Sequence, residues 1–336
     1  MKKKQFLSCL LAGILFLQVP ALTSSAAAWE KENGIYVNAS GGSIQGALSR
    51  GLSVAKYQGN IDWQKVRADD ISFAMVRLGY LNDEDPTFDA NMKGAAANGV
   101  HVGLYLYSQA LTVDAAIEEA NFSVKRALDY KVSYPIAIDL ESKVLEEAGL
   151  GRQEITDIAN AFCKVVEDAG YYPIIYVNHR WMTDYLDLSQ IPYDIWYGRY
   201  KDLESYPEKA TIWQSTDSGQ IDGIVGNVCL EFAFTDYSSR IPSVAWHNVD
   251  GKWYYTANYE KQSGWQWIGN AWYYLNPADN GAMTANTTLT IGGVACSFQA
   301  DGSWISNGQT TPPQATLTPS QIAPDSFSLN GPASAK

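Results

Sequence analysis

The sequence predicts an α/β fold, in which an eight-stranded β/α barrel is followed by a small β-hairpin repeat module. Three observations support this prediction. Strand-like and helix-like runs alternate from residue 51 to about residue 236, which is typical of a mostly parallel sheet. Eight of these runs are strand candidates, a number that favours a closed barrel over an open sheet. Short aromatic segments recur after about residue 240.

The strand candidates are short runs that are rich in apolar residues. They span residues 51–57, 73–80, 101–108, 135–141, 172–178, 194–200, 210–216 and 228–234. The clearest helices between them are predicted over residues 112–130 and 154–169. In the second of these helices, apolar residues at helical spacing form one stripe, and Gly170 follows as a stop signal.

The first strand candidate leads into a turn and then into a helix. The segment GLSVAKYQGNIDW covers residues 51–63, and its extended run from Gly51 to Tyr57 meets a turn at residues 58–60. Glycine and asparagine are typical turn residues, so we expect a helix to begin near Asp62. Because alternate side chains share a face of a strand, Ser53 would point into the barrel.

The first 28 residues have the pattern of a secretory signal peptide. Lys2–Lys4 form a basic start, residues 6–19 are apolar, and Ala26–Ala28 offer a cleavage site before Trp29. Residues 29–50 would then form an N-terminal extension, ahead of a barrel domain over residues 51–240. No other run is long and apolar enough to cross a bilayer. We therefore expect a secreted protein.

The composition excludes some classes of partner and cofactor. Hydrophobic residues make up 46% of the chain, which allows a full core, and the formal net charge of −12 disfavours nucleic acid. His101, His179 and His247 lie far apart in the sequence, so we predict no metal and no other cofactor. The three cysteines that follow the leader are too few and too widely spaced for a disulfide framework.

Two carboxylates stand on one face of the fourth strand candidate, which reads PIAIDLE over residues 135–141. Asp139 and Glu141 would both point into the barrel, about 6–7 Å apart at the backbone. They would lie at the carboxyl end of the strand, where barrel enzymes carry catalytic groups. Such a pair can keep one carboxyl protonated as an acid near neutral pH. The alternative is that both residues only cap loops or pair with Arg77.

Seven segments of the predicted barrel resemble a known family when they are taken together and in order. They are GLSVAKYQGNIDWQKV, ISFAMVRLGY, HVGLYLYS, PIAIDLE, YYPIIYVN, ATIWQST and GNVCLEF. Together they look like glycoside hydrolase family 25, the Chalaropsis-type lysozymes or N-acetylmuramidases. The resemblance implies a somewhat irregular, TIM-like barrel. It also implies cleavage of the β-1,4 bond between N-acetylmuramic acid and N-acetylglucosamine.

The resemblance assigns roles to four residues of this sequence. Glu141 would be the general acid that protonates the leaving sugar oxygen. Asp139 would orient or charge-balance the acetamido group of the substrate, which attacks the anomeric carbon in the substrate-assisted form of glycoside hydrolysis. Tyr107 and Tyr176 would line the sugar site. Core packing with a hydroxyl at the rim is the alternative for both tyrosines.

Three inward positions depart from the pattern of that family. The family usually carries an aspartate in the first strand and another in the last, where this sequence has Ser53 and Cys229. Neither residue is charged in its usual state, so the pocket would have fewer charges to stabilise an oxocarbenium-like transition state. Glu231 would share the inward face of Cys229 and could restore a carboxylate to the cleft, or it could be a rim residue. A nucleophilic Cys229 is a further alternative, although no histidine has an evident place beside it.

Aromatic repeats follow the predicted barrel, over residues 244–305. The triplet Trp-Tyr-Tyr recurs 19 positions apart, and a fainter third copy spans residues 291–304. The segment GKWYY resembles the choline- or wall-binding repeats of Gram-positive surface proteins, which box a quaternary ammonium or stack on sugars. The alternative is that the aromatic residues only hold the hairpins together. By resemblance, ligand binding would fall to Trp253, Tyr255, Trp265, Trp272 and Tyr274.

From residue 306 to residue 336 the chain is rich in Pro, Thr, Ser and Gln, which predicts a disordered tail. The whole pattern predicts a secreted, wall-associated peptidoglycan hydrolase of a Gram-positive bacterium. Its partners would be glycan strands and, through the repeats, choline or wall polysaccharide. Two alternatives stay open. The barrel could bind glycan without cutting it, or the repeats could be the functional part of a surface adhesin.

Overall fold

The computed structural model describes residues 31–37, 42–201, 207, 209–315 and 331–332. The signal peptide predicted over residues 1–28 lies outside the described residues. The predicted tail is described only at residues 306–315 and 331–332. Within the described segments, every helix is too short or too polar to cross a bilayer.

A short hairpin precedes the barrel and consists of β1 (Lys31–Glu32) and β2 (Ile35–Tyr36). The barrel strands and helices then alternate as the sequence predicts. In chain order they are β3 (Ser49–Val54), α1 (Trp63–Ala68), β4 (Phe73–Tyr80), β5 (Asp83–Glu84), α2 (Phe88–Ala97), β6 (His101–Tyr107), α3 (Val113–Ala127), β7 (Val132–Asp139), α4 (Lys143–Glu147), α5 (Arg152–Asp168), β8 (Pro173–Asn178), β9 (Asp194–Gly198), β10 (Ala210–Gly219) and β11 (Val228–Ala233).

The barrel closes through eight strands in the order β3-β11-β10-β9-β8-β7-β6-β4, because β3 also pairs with β4. The predicted eight-stranded barrel is therefore confirmed. Seven of the strands run parallel, and β11 is antiparallel to both of its neighbours, β10 and β3. This one reversed strand makes the barrel irregular. It also brings the beginning of β11 to the end at which the parallel strands finish.

The first strand is shorter than its sequence pattern predicts. Strand β3 ends at Val54, and Lys56–Gln58 form a 3-10 turn instead of continuing the strand. Two hydrogen bonds hold this turn: the Ala55 amide donates to Oε1 of Gln58 at 2.9 Å, and the Lys56 amide donates to Oδ2 of Asp85 at 3.0 Å. The acceptor of the second bond, Asp85, is distant in sequence from the turn. The predicted helix does begin at Trp63, after the capping residue Asp62.

Side chains alternate between two layers along the barrel strands. In β7, Ile136 and Ile138 pack outward into the core that lies between the sheet and the helices, while Ala137 points into the barrel. Helix α5 covers the outside with the predicted apolar stripe, in which Ile155 and Phe162 are fully buried. The carboxyl ends of the parallel strands are thereby left as the open face of the barrel, as the predicted catalytic residues require.

Three hairpins follow the barrel at the predicted repeats. Their strands are β12 (Val244–Val249), β13 (Lys252–Ala257), β14 (Glu260–Lys261), β15 (Gly264–Ile268), β16 (Ala271–Asn276), β17 (Ala282–Met283), β18 (Thr288–Ile291) and β19 (Val294–Ser297). The first hairpin packs against the outside of the barrel. There His247 stacks on Tyr171 with 4.2 Å between ring centroids, and Lys261 donates to Asp129 at 3.0 Å.

Gly170, the predicted helix stop, also makes room for this hairpin. Its φ is +84°, a conformation that favours glycine at the end of a helix. A Cβ at this position would lie 2.5 Å from the carbonyl oxygen of Trp246. The same residue therefore ends α5 and lets the first hairpin approach the barrel closely.

Candidate active site

Asp139 and Glu141 lie together at the carboxyl end of β7, as the sequence predicts. Asp139 is the last residue of the strand and is 8% exposed, whereas Glu141 follows two residues later and is partly exposed. Oδ1 of Asp139 accepts a hydrogen bond from the Glu141 amide at 3.0 Å, and the Tyr107 hydroxyl donates to the Glu141 carbonyl oxygen at 3.0 Å. These bonds fix the turn that presents the Glu141 side chain.

The pKa values of both carboxyls are raised. Burial raises the pKa of Glu141 to about 7, against hydrogen bonds from Asn178 that lower it. Burial, and then the negative charge of Glu141, hold the pKa of Asp139 well above its ordinary value. Ionisation of one group disfavours ionisation of the other. The pair can therefore keep a proton near neutral pH, as a general acid requires.

Arg77 is engaged elsewhere, although it stands on the inward face near these carboxyls. Its guanidinium binds Asp85 through Nε at 3.0 Å and Nη2 at 2.5 Å, and it lies over the ring of Tyr57 at 5.0 Å. Its charge lowers the pKa of Asp139 by less than burial and the charge of Glu141 raise it. The alternative that Asp139 and Glu141 serve mainly to pair with Arg77 is therefore not supported. Asp139 does cap the turn that follows it.

Ser53, Cys229 and Glu231 face the interior on the adjoining strands β3 and β11. In the register of this pair, Cys229 is opposite Ser53 and Glu231 is opposite Gly51. Because β11 runs antiparallel to β3, Glu231 lies one step deeper in the barrel than Cys229. Glu231 is fully buried, so it is neither a rim residue nor a carboxylate exposed in the cleft, and both interpretations of it are wrong. Burial raises its pKa to about 8, while Gln214 and Ser53 act in the opposite direction.

Gln214 joins Glu231 to two tyrosines. Its Nε2 donates to Oε1 of Glu231 at 3.0 Å and to Oγ of Ser53 at 3.3 Å. Its Oε1 accepts from the hydroxyls of Tyr176 at 2.8 Å and Tyr200 at 2.7 Å. This network spans one wall of the cleft, from the buried Glu231 to Tyr200, which is 51% exposed.

Three of these site residues, Gln214, Tyr200 and Asn178, were not predicted from the sequence. Alternation along the strands was the available signal, because Gln214 follows the inward Ile212 in β10 and Asn178 follows the inward Tyr176 in β8. Tyr200 lies beyond the end of β9, where alternation gives no guidance. Among the described residues, no group of three or more His, Cys, Asp or Glu side chains is arranged to hold a metal ion.

The arrangement of these strands and carboxyls agrees with a match to a family model. The model for glycosyl hydrolases family 25 matches residues 52–224, which is more than half of the chain. The chain belongs to glycosyl hydrolase family 25. The matched range runs from β3 to the turn before β11 and contains Ser53, Asp139, Glu141 and Gln214.

Solved structures with the same fold include proteins of this family. The modular autolysin LytC from Streptococcus pneumoniae is 23% identical, with a TM-score of 0.55 over 61% of this chain and 52% of that one. A family 25 glycosyl hydrolase from Bacillus anthracis is 21% identical, with a TM-score of 0.50 over 57% of this chain and 92% of that one. The uncharacterized protein YegX of Escherichia coli K12 is 28% identical over 192 residues, 53% of this chain. The chain covers 66% of the length of YegX, just under two thirds.

Ser53 and Cys229 distinguish this family 25 barrel from the pattern that the resemblance implies. Neither side chain supplies a carboxylate to the upper layer of the cleft. Burial, and then the charge of the neighbouring Glu231, raise the pKa of the Cys229 thiol to about 12. A thiol with such a pKa is protonated at neutral pH, which argues against a nucleophilic Cys229. Cys163, Cys229 and Cys296 are all free thiols.

Tyr107 and Tyr176 both lie at the site, but their hydroxyl groups bind different partners. Tyr107 is partly exposed and bonds the backbone of Glu141, whereas Tyr176 is 7% exposed and bonds Gln214. Gly198 makes room for Tyr176, because a Cβ there would lie 2.8 Å from the Tyr176 hydroxyl oxygen. The ring of Tyr176 also packs against Trp196, with 4.6 Å between the ring centroids. Core packing is therefore one part of the role of Tyr176.

Most of the aromatic side chains predicted to bind a wall ligand are buried between the hairpins. Trp265 packs against Phe298 and Trp304 of the third repeat, with centroids 5.6 and 5.9 Å away. The exposed aromatic residue of this region is Trp267, at 40%. Tyr255, Trp265 and Trp272 are 6–7% exposed, and Trp253 and Tyr274 are partly exposed. This burial favours the alternative in which the aromatic residues hold the hairpins together.

Proposed function

We propose that the barrel is a lysozyme-type glycoside hydrolase, which cleaves the β-1,4 bond between N-acetylmuramic acid and N-acetylglucosamine in peptidoglycan. One observation carries the proposal. Two carboxyls with raised pKa values share the mouth of the barrel, and the outer one, Glu141, is accessible to a substrate. Oε1 of Glu141 is buried and has no hydrogen-bond partner among the described residues, so no side chain of the cleft competes for its proton.

In the first step of the proposed reaction, protonated Glu141 donates its proton to the glycosidic oxygen while the bond from that oxygen to the anomeric carbon breaks. The carbonyl oxygen of the substrate's own acetamido group attacks the anomeric carbon and forms a cyclic oxazolinium ion. Asp139 lies beside Glu141 and would orient the acetamido group; in its carboxylate form it would also balance the positive charge. The leaving sugar departs with the proton from Glu141.

In the second step, water attacks the anomeric carbon and opens the oxazolinium ring. Glu141, now a carboxylate, accepts the proton of that water and returns to its starting state. The acetamido group is restored, and the configuration at the anomeric carbon is retained because it has been inverted twice. All proton transfers in this scheme use Glu141, whose pKa of about 7 lies near neutrality.

Counting new reducing ends on peptidoglycan tests the hydrolase proposal. Wild-type protein should release them, and Glu141→Gln should reduce the rate by roughly 10²–10⁴-fold, because proton transfer by a positioned acid contributes about that factor. Glu118→Gln is the matched control, since Glu118 is exposed on α3, outside the barrel. Equal release by wild type and Glu141→Gln would refute the hydrolase function.

A second candidate function is glycan binding without cleavage. The uncharged Ser53 and Cys229 favour it, because a binding protein does not need to stabilise an oxocarbenium-like transition state. Sedimentation of the protein with intact cell wall separates the two candidates from a protein that does neither. A binder would sediment with the wall and release no reducing ends, and Glu141→Gln would sediment equally well.

We also propose secretion and attachment to a cell wall. The leader at residues 1–28 supports export, and sequencing of the protein from culture medium should then begin at Trp29.

The same proposal divides the chain into a barrel over 51–240 and repeats over 244–305. If the repeats bind choline or wall polysaccharide, exposed Trp267 is the aromatic residue that can reach it, and Trp267→Ala should weaken sedimentation.

A further inference from the structure

We propose that Glu231 is a positioning residue of the sugar site, which acts through Gln214 to set Tyr176 and Tyr200 as hydrogen-bond acceptors for the substrate. This inference depends on the proposed function in one respect, which is that the ligand is an N-acetylated glycan. It applies equally to a barrel that cuts the glycan and to one that only binds it.

Glu231 is held rigidly below the cleft. It is fully buried on β11, with Gly51 opposite it and Cys229 above it on the same face. Its Oε2 is buried and lacks a hydrogen-bond partner among the residues that the structure describes, and Oε1 accepts from Gln214. A buried carboxyl with one unpaired oxygen is more stable as the neutral acid, in agreement with its raised pKa. A neutral acid protonated at Oε2 still accepts at Oε1.

The acceptor at Glu231 determines which way the amide of Gln214 faces. A side-chain amide has one donor end and one acceptor end. Since Oε1 of Glu231 and Oγ of Ser53 both receive bonds from Nε2, the carbonyl oxygen of Gln214 must point to the tyrosines. An apolar residue at position 231 would remove this preference and leave the amide free to turn.

The direction of the amide in turn fixes the chemistry of the two phenols. Each tyrosine has a single O–H group, and both groups are donated to Oε1 of Gln214, at 2.8 Å from Tyr176 and 2.7 Å from Tyr200. Only the lone pairs of the phenol oxygens remain for other partners. In this arrangement the phenol oxygens present acceptor lone pairs, and Tyr200, which is half exposed, can accept a hydrogen bond from an N–H or O–H group of an N-acetylated sugar.

At Ser53, Cys229 and Glu231 this wall of the cleft has no exposed carboxylate that could accept hydrogen bonds from a sugar, so the tyrosine oxygens would take that role. Ser53 and Cys229 carry no charge, and Glu231 is covered by the layer above it. Tyr176 is clamped between Gly198 and Trp196, so its oxygen has a defined position. Tyr200 carries the network out to the exposed mouth of the barrel, where a glycan strand would lie.

Two substitutions of Glu231 separate positioning from mere packing. Glu231→Met keeps the approximate volume but removes the acceptor, and it should raise KM, or the Kd for soluble glycan strands prepared from peptidoglycan, roughly tenfold because hydrogen bonds to the sugar are lost. Glu231→Gln keeps a carbonyl oxygen that can accept from Gln214, so it should restore most of the affinity. Binding is measured in the Glu141→Gln background to prevent turnover.

Tyr200→Phe, combined with Glu231→Met, completes a double-mutant cycle. It also tests the inference in a variant that should fold. If Glu231 acts through Gln214, Tyr200→Phe should weaken binding in the parent and have little further effect beside Glu231→Met, so the two effects will not add. Tyr200 is half exposed, so this variant should fold even if Glu231→Met does not.

Unchanged affinity in Tyr200→Phe, or fully additive effects in the cycle, would overturn the inference. Equal weakening by Glu231→Met and Glu231→Gln would also overturn it. Absence of hydrolysis in the wild type, together with the expected pattern in binding, would refute the hydrolase function and leave the positioning role intact.

Discussion

Glu231→Gln should make the protein more resistant to alkaline unfolding. Glu231 is fully buried, and its pKa rises from 4.5 in the unfolded chain to about 8 in the folded one. Between these values the folded state holds a proton that the unfolded state has lost, so the free energy of unfolding falls as the pH rises. The stabilising contribution is fully present below pH 4.5 and is lost by about pH 8. Glutamine does not titrate and lacks this dependence.

The magnitude follows from the size of the pKa change. At ~1.4 kcal/mol for each pKa unit, the wild type should lose on the order of 4 kcal/mol relative to Glu231→Gln between pH 5 and pH 9. Solvent does not screen the charge of this side chain, because it is completely buried. So large a difference is a substantial part of the stability of an ordinary domain.

Urea unfolding followed by tryptophan fluorescence at several pH values provides the measurement. The curves of unfolding free energy against pH should diverge for wild type and Glu231→Gln as the pH rises. Glu118→Gln, which changes an exposed carboxyl on α3, should run parallel to the wild type. Parallel curves for wild type and Glu231→Gln would show that burial does not hold a proton on Glu231, and the argument would fail.

Three further predictions concern the acid, the cleft and the first turn. Hydrolysis should fall as the pH rises through about 7, because Glu141 must be protonated to act as the acid, and a pH–rate profile measures this. Gly198→Ala should raise KM for glycan strands, since its Cβ would meet the Tyr176 hydroxyl at 2.8 Å and displace it. Asp85→Asn should destabilise the fold by ~3 kcal/mol in urea, because it leaves the partly buried Arg77 without its carboxylate.

Each of these three predictions has a result that would contradict it. A rate that stays constant up to pH 9 would exclude Glu141 as the acid. An unchanged KM in Gly198→Ala would mean that the position of Tyr176 does not matter to the substrate. For Asp85 the control is Asp89→Asn, which breaks the exposed pair with Lys93 and should change stability by less than ~1 kcal/mol. Equal effects of the two asparagine variants would contradict the importance of burial.

Much of the predicted site follows from the alternation of side chains between the two faces of a strand. It placed Asp139 and Glu141 at the mouth of the barrel and put Ser53, Cys229 and Glu231 on inward faces, because a strand fixes the side to which each residue points. The same rule did not tell how deep each inward residue lies. Depth depends on the register between strands, and the pairing of Glu231 with Gly51 makes Glu231 a buried residue instead of a rim residue.

The aromatic repeats illustrate the same limit in another form. Their period predicted hairpins, and three hairpins occur at these positions. Whether an aromatic side chain is open to a ligand depends on how neighbouring hairpins pack, and Phe298 and Trp304 cover Trp265. Trp267, which is not one of the five residues predicted to bind the ligand, is the more exposed one.

The sequence by itself therefore determined the barrel, the order of its elements and the pair of carboxyls at its mouth, because these follow from local periodicity along each strand and helix. Only the tertiary structure decided the hydrogen-bond network that links Glu231, Gln214, Tyr176 and Tyr200. Those residues come from four separate segments, and their distances are fixed by the closure of the barrel and the reversed strand β11. Burial and partner choice are properties of that closed arrangement, so the pKa of Glu231 and the acceptor role inferred for the tyrosines emerge only when the strands are assembled.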